Sequence, residues 1–319
     1  MPIFTDNRSA SIAAWGENQF LGHIRDWLGD TNPPAPRGMG DDCSVTPLQG
    51  CNLLTTDSLL YGRHFDAQLP AEWAGMKLMN RNVSDIAAMG GLPRFALLSG
   101  CFPAQTDQRW MEAFIVGLAK AARRWDIQIL GGDLAQTEAE WMATVTLIGS
   151  AEKPLLRNGG EIGDSIWVTG ALGGSLLGRH ARFEPRIQEG RHLAQSGSVK
   201  AAMDLSDGLA KDLPALMGSD LCAIIDPAAI PVHADAERLS QESSRPAVEH
   251  AACDGEDYEL LFVLDGRIKP EEWLADWNQS LQTPLHCIGR VEAATEALPV
   301  INAQTRQAFS WSHGYQHFQ

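Results

Sequence analysis

Apolar positions in the first half of the chain alternate between helical and strand-like spacing. Phe20, Leu21, Ile24, Trp27 and Leu28 share one face of a predicted helix, which the proline-rich segment NPPAP (32–36) then ends. Two short apolar runs follow, CSVTPL (43–48) and NLLTTD (52–57), and the Gln49-Gly50 turn between them predicts a strand pair. From Trp73 to Met89 a second helix is expected. Trp73, Met76, Val83, Ile86 and Ala87 mark its apolar stripe, and Lys77, Arg81 and Asp85 mark a polar one. Trp110, Phe114, Leu118 and Trp125 predict a third helix leading into the strand-like IQIL (127–130), and WMATVTLIG (141–149) alternates as a half-buried strand does.

The segment AEKPLLRNGGEIGD (151–164), with its proline and glycines, is the candidate linker, giving expected domains 1–150 and 151–319. Past it the pattern predicts strands at SIWVTG, LCAIID and YELLFVL and a strand-to-helix turn at MDLSDGLAKDL. A helix bearing Trp273, Leu274, Trp277 and Leu281 and the run HCIGRV complete it. Both halves are α/β, with no short-period repeat that would mark a solenoid.

Composition narrows the class. The 319 residues are 44% hydrophobic and 20% charged, the balance of a globular protein, and no apolar run approaches the roughly 18 residues of a spanning helix. The amino terminus lacks the unbroken apolar stretch of a secretory signal, so a cytoplasmic location is expected. A formal net charge of −15 argues against nucleic acid or an anionic membrane as partner. The six cysteines have no C-x-x-C spacing and are expected to be buried, reduced thiols.

Seven aspartates stand among glycine, serine or threonine, five of them just after a strand-like run: Asp41, Asp42, Asp57, Asp85, Asp133, Asp204 and Asp207. Strand ends can aim several oxygen ligands into one crevice, and carboxylates without His or Cys companions suit Mg²⁺ and the phosphates it carries. Each aspartate alone is better explained as a turn or cap residue; the recurrence points to a site. Asp204-Leu-Ser-Asp-Gly208 either caps the following helix or meets a phosphate there. Arg81 and Asp85 read locally as an i, i+4 pair on a solvated face. Arg157 either clamps a phosphate or pairs with Glu161. His64 falls on the same side as Thr55 or is structural, and Glu256 and Asp257 precede a strand. A Walker loop, a nucleophile elbow and the protein-kinase motifs are all missing, so nucleotide binding needs another scaffold.

Taken in order, GMGDDC, TTDSLLYGRHF, NRNVSDIAAMGGLP, GGD, LLRNGGEIGDSIWVTGALGGS, RHARFEPR, MDLSDGLAKDL, GEDYELLF and GYQHF resemble the thiamine-monophosphate kinase family of the aminoimidazole ribonucleotide synthetase-like superfamily. The resemblance implies a two-domain α/β (α+β) fold and a homodimer whose N-terminal sheets pair into a barrel. It also implies ATP-dependent phosphorylation of thiamine phosphate to thiamine diphosphate by direct Mg²⁺-assisted transfer. Carried over by motif, Asp42, Thr55, Thr56, Asp57, Asp85, Asp133, Asp204 and Asp207 would hold Mg²⁺, with Asp42, Asp57, Asp85, Asp133 and Asp207 as the catalytic set. Gly132, Asp133, Arg157 and Ser206 would contact ATP, and His64, Glu256 and Tyr315 the thiamine side. Another ATP-dependent enzyme of the superfamily and a non-catalytic Mg-nucleotide-binding protein are the alternatives. The chain departs from the family pattern in a shortened segment between GALGGS and RHARFEPR, in Asp254 where the family has glycine, and in Lys77-Leu-Met-Asn80.

Overall fold

The computed structural model describes residues 2–34, 48–217, 220–294, 299–309 and 311. Asp41, Asp42 and Tyr315 lie outside them, as does most of the CSVTPL run. Contacts divide the chain into two units, Met1–Ile86 with Leu92–Glu152, and Ala87–Gly91 with Lys153–Gln319.

The first unit contains α1 (Gly16–Leu28), β1 (Asn52–Leu60), α2 (Ala71–Ala88), β2 (Leu92–Pro103), α3 (Gln108–Arg124), β3 (Gln128–Thr137) and β4 (Met142–Ser150). Its four strands run β1-β4-β2-β3, with β4 antiparallel to both neighbours and β3 parallel to β2. Phe20, Ile24 and Leu28 of α1 are buried as the spacing predicts. That helix ends at Gly29, in a positive-φ conformation, before the prolines are reached. In β4 burial alternates residue by residue, so one face of the sheet is core. Trp141 sits at the centre of that core, its ring 4.9 to 5.4 Å from the rings of Phe65, Phe102, Trp110 and Phe114.

Two expectations fail here. Gly131-Gly132-Asp133 is not a turn after the strand: β3 bulges past Leu130 and then continues to Thr137 alongside β2. Gly132 is required there because any Cβ would overlap the Leu98 carbonyl. The polar stripe of α2 is not solvated either. Lys77 is wholly buried and donates to the His64 carbonyl at 2.8 Å, and Arg81 reaches β1.

The second unit adds β5 (Ser165–Thr169), α4 (Ile187–Ser196), β6 (Val199–Asp204), α5 (Leu209–Met217), β7 (Leu221–Ile225) and α6 (Ala234–Ser243). They are followed by α7 (Ala247–Cys253), β8 (Leu260–Leu264), α8 (Pro270–Ser280), β9 (Leu285–Ala293) and β10 (Val300–Asn302). The strand order is β10-β7-β9-β5-β8-β6. Both faces are covered: Ile166, Val168, Leu261 and Val263 join Leu209, Leu213 and Leu216 of α5, while Trp167, Leu260, Phe262 and Leu264 join Trp273 and Trp277 of α8. Burial on two sides is why these strands read as unbroken apolar runs.

From Lys153 onward the 151–164 segment belongs to this unit. Asn158 N–H donates to the Leu216 carbonyl at 3.1 Å, and the buried Asp164 accepts from Lys200 at 3.1 Å. Two 3-10 turns, Ser175–Leu177 and Arg179–Ala181, fill the segment that the family pattern makes longer. Cys222 and Cys253 are buried free thiols, but Cys51 and Cys287 are exposed.

Helices α2 and α3 cross through paired glycines: a Cβ on Gly75 would lie 2.0 Å from the Phe114 carbonyl, and one on Gly117 2.0 Å from that of Glu72. An ordinary helical Gly→Ala change adds up to about 1 kcal/mol. Gly22 in α1 has open space around its Cβ position and should follow that rule. Gly117→Ala is expected to reverse the sign and cost about 1–3 kcal/mol through overpacking. Urea denaturation of the two variants checks the contrast.

Candidate active site

In the first unit, alternation along β1 separates the candidate residues by face. Thr55 and Asp57 pair with Leu147 and Val145 on the helix-covered side, and Thr56 with Thr146 on the open side. α2 lies over the first pair. Thr55 Oγ1 donates to Asp85 Oδ2, Arg81 Nη1 donates to the Ser58 carbonyl at 2.8 Å, and Arg81 Nη2 lies 3.5 Å from Asp57 Oδ1. Asp85 therefore stands against β1 at Thr55, and Asp57 stands beside the Arg81 guanidinium two residues on.

Thr56 turns its hydroxyl to the opposite face, 3.1 Å from that of Thr146. Asp133 is exposed and pairs with Ser99, on the open side with Leu97 and Thr56. It stands on β3, at the other edge of the sheet from β1. Three strand spacings of about 4.8 Å put roughly 14 Å between those edges. His64 follows β1, and its Nδ1 accepts from Leu60 N–H at 3.0 Å, which holds the ring against the strand end. Among the described residues no three His, Cys, Asp or Glu side chains converge as a metal site.

The second unit has two stacked loops. Asp204 is buried at the end of β6, and residues 205–208 lead into α5. Against them lies the 254–259 loop: Glu256 N–H donates to the Ser206 carbonyl at 2.7 Å, Tyr258 N–H to that of Leu205 at 2.9 Å, and Leu205 N–H to that of Glu259 at 2.8 Å. Gly255, Glu256 and Tyr258 all have positive φ, a strained path for the last two that these bonds enforce.

That path sorts the acidic residues. Asp257 turns inward, 1% exposed, to accept from Gly173 N–H and Arg179 Nη2, at 2.9 and 2.8 Å. Burial pushes its carboxyl up to about 7, against the pull of Arg179 and the Gly173 amide. Glu259 takes both Arg186 Nε and Nη2, at 2.7 and 2.5 Å, and the Thr169 hydroxyl at 2.6 Å. Asp254, standing where the family has glycine, accepts from Gly174 N–H at 3.2 Å and from His250 at 3.0 Å. Glu256 has His180 Nδ1 and the Tyr258 hydroxyl each 3.4 Å from its carboxylate, and Tyr258 is stacked on Phe183 at 3.8 Å.

Lys211 donates to Asp207 Oδ2, one turn into α5. Asp212 accepts the N–H groups of Asp207 and Gly208, and burial, with the Asp207 charge second, raises its carboxyl to about 7. Arg157 is exposed, and Glu161 pairs with Lys200 at 2.6 Å instead. Its neighbour Asn158 bonds the last turn of α5, whereas Ser206 precedes the first, so about 13 Å of helix separates the two expected ATP contacts. Arg179, His180, Arg186 and Asp212 were missed because the RHARFEPR block and α5 give no periodic signal of a polar core. An acidic side chain in an otherwise apolar helical stripe, as Asp212 is beside Leu209, Leu213 and Leu216, was the sign available.

Removing one partner of a buried ion pair leaves the other uncompensated. Glu259→Ala is expected to lower unfolding free energy by about 3 kcal/mol. The double change Glu259→Met with Arg186→Met should recover most of it, as measured by urea denaturation.

The family model for "AIR synthase related protein, N-terminal domain" matches residues 40–151. A Rhodopirellula baltica thiamine-monophosphate kinase is 35% identical over 292 residues, 88% of this chain and 90% of its own. That of Salmonella typhimurium is 31% identical over 96% of this chain and 99% of its own. The solved structure of AaThiL complexed with AMPPCP and TMP has a TM-score of 0.73 at 29% identity, covering 96% of this chain and 98% of that one. Hydrogenase maturation protein HypE in complex with ATP reaches 0.74 at 18% identity over 94% and 96%, a likeness of fold. The chain belongs to the thiamine-monophosphate kinase family.

Proposed function

We propose that this protein transfers the γ-phosphoryl group of ATP to thiamine phosphate, giving thiamine diphosphate and ADP. The observation that carries the reading is likeness over 96% of the chain to a protein solved with a nucleotide analogue and TMP together. Its own residues have the chemistry such a reaction needs. Bringing two phosphate-bearing anions together costs roughly 4 kcal/mol per unit-charge pair at about 4 Å and an effective dielectric of 20.

Thr55, Asp57 and Asp85 offer only hard oxygen donors, the type magnesium selects, so the residues fit that ion. We assign Mg²⁺ coordination to them with Asp42, Thr56, Asp133, Asp204 and Asp207; an ion held there would offset the negative charge of the phosphates. Gly132, Asp133, Arg157 and Ser206 are assigned to ATP, and His64, Glu256 and Tyr315 to the acceptor. Glu256, a carboxylate held on the positive-φ 255–258 loop, suits a cationic thiazolium. The acceptor phosphate is ionised before it binds, so no side chain has to remove a proton. A soluble cytoplasmic enzyme of small anions accords with the net charge of −15 and with the lack, among the described residues, of any helix able to cross a membrane.

We also propose a homodimer in which β1 of one copy lies beside β3 of the other, closing the two sheets into a barrel. Thr56 and Asp133 face the same side of the sheet from opposite edges, a separation that no single ion with bonds of about 2.1 Å spans. A second copy removes the distance. It also covers Leu54 and Leu97, which are 69% and 38% exposed on that face.

Chromatography of a reaction with Mg-ATP and thiamine phosphate is expected to show thiamine diphosphate and ADP in equal amounts, and none with free thiamine. ADP without diphosphate, or neither product, contradicts the reading. Asp57→Asn and Asp133→Asn should each abolish turnover in homodimers. A two-tag heterodimer of the pair retains one intact site and should show about half of wild-type activity. An inactive heterodimer would place Asp57 and Asp133 of one chain in the same site.

A further inference from the structure

The 204–208 loop is anchored from two sides. The 256–259 loop bonds the backbone of Leu205 and Ser206. Residues 207 and 208 are held from below by Asp212, which is 4% exposed. A single oxygen, Oδ2, accepts Asp207 N–H at 3.0 Å and Gly208 N–H at 3.1 Å, while the backbone N–H of Asp212 donates to the Gly208 carbonyl at 2.9 Å. This closes a ring at the start of α5, a reach-back variant of helix capping. Gly208 has φ +101, and a Cβ on it would press to 3.0 Å on the Ala252 carbonyl, so the backbone has little room to settle elsewhere.

The geometry points to Asp212 as a positioning residue: by holding the amides of Asp207 and Gly208 it fixes where the Asp207 carboxylate stands for a divalent cation. It rests on the assignment of Asp207 to metal. Oδ2 of Asp212 serves the backbone rather than a cation, because it is turned into the helix start and takes both N–H groups. Without that oxygen, two amides at a buried helix start lose their acceptor and the backbone must turn to find others. The Asp207 carboxylate, already drawn to Lys211 one turn on, moves with it. Outer partners of this kind usually change metal affinity by about 10–100-fold.

The test uses Mn²⁺ as probe, read by loss of the free-ion electron paramagnetic resonance signal in the presence of AMPPCP, alongside Mg²⁺ activation of turnover. Asp212→Ala is expected to weaken Mn²⁺ binding by about 10-fold or more and to raise the Mg²⁺ half-activation concentration by a similar factor, with KM for thiamine phosphate within about twofold of wild type. Asp212→Asn keeps an oxygen able to accept both amides and should stay within about threefold of wild type in both readouts. Wild-type Mn²⁺ affinity in Asp212→Ala, or an Asp212→Asn protein as weak as Asp212→Ala, would overturn the assignment. If Asp212→Ala does not accumulate as folded protein, amide exchange of Asp207 and Gly208 in Asp212→Asn decides: retained protection supports the role and lost protection overturns it. A wild-type protein inactive on thiamine phosphate, with the Mn²⁺ differences intact, would overturn the kinase reading and support the positioning role.

Discussion

Carboxylates repel one another, and the cations set among them determine how both units are arranged. In the second unit Asp257 is answered by Arg179, Glu259 by Arg186 and Asp164 by Lys200. The first two pairs tie the RHARFEPR and DGEDYEL segments together, and Asp257 also accepts from Gly173 of GALGGS, so these motif residues share one polar core. In the first unit Arg81 serves between Asp57 and the β1 backbone. Asp85 accepts from Thr55, Asp133 is exposed and Asp207 is paired with Lys211; all three are among the residues we assign to magnesium.

The strain in the 255–258 loop has a use in this arrangement. Left-handed backbone at Glu256 and Tyr258 costs of order 1–3 kcal/mol each, and it persists only because its neighbours over-determine it. Three backbone bonds to residues 205 and 206 do so. The return is that the Glu256 carboxylate is held beside His180, in a fixed place for the acceptor role we propose for it. The same bonds fix the loop that carries Ser206 and Asp207, so the residues we assign to the acceptor and to the phosphates are built as a single piece.

Much of this fold was legible in the sequence. The alternation in WMATVTLIG and the runs SIWVTG, LCAIID and HCIGRV all mark strands, since burial on one or two faces leaves a periodic trace. α6 left none: only Ala236 of its ten residues is buried. The polar stripe of α2 misled because Lys77 and Arg81 are satisfied by carbonyls of β1 and its following turn, which helical spacing cannot reveal. Asp57 and Asp133 were legible as ligand types, but their separation depends on strand order, a long-range property. Asp212 was hidden for a related reason: its partners are backbone amides, and these carry no side-chain signature.

The central proposal is that the phosphoryl group passes directly from nucleotide to acceptor, with no aspartate acting as nucleophile. ATP whose γ-phosphate is made chiral with three oxygen isotopes tests this most directly. The account predicts inversion of configuration in the terminal phosphate of thiamine diphosphate, the mark of one in-line displacement. Retention would mean two displacements through a phosphorylated side chain and would contradict it.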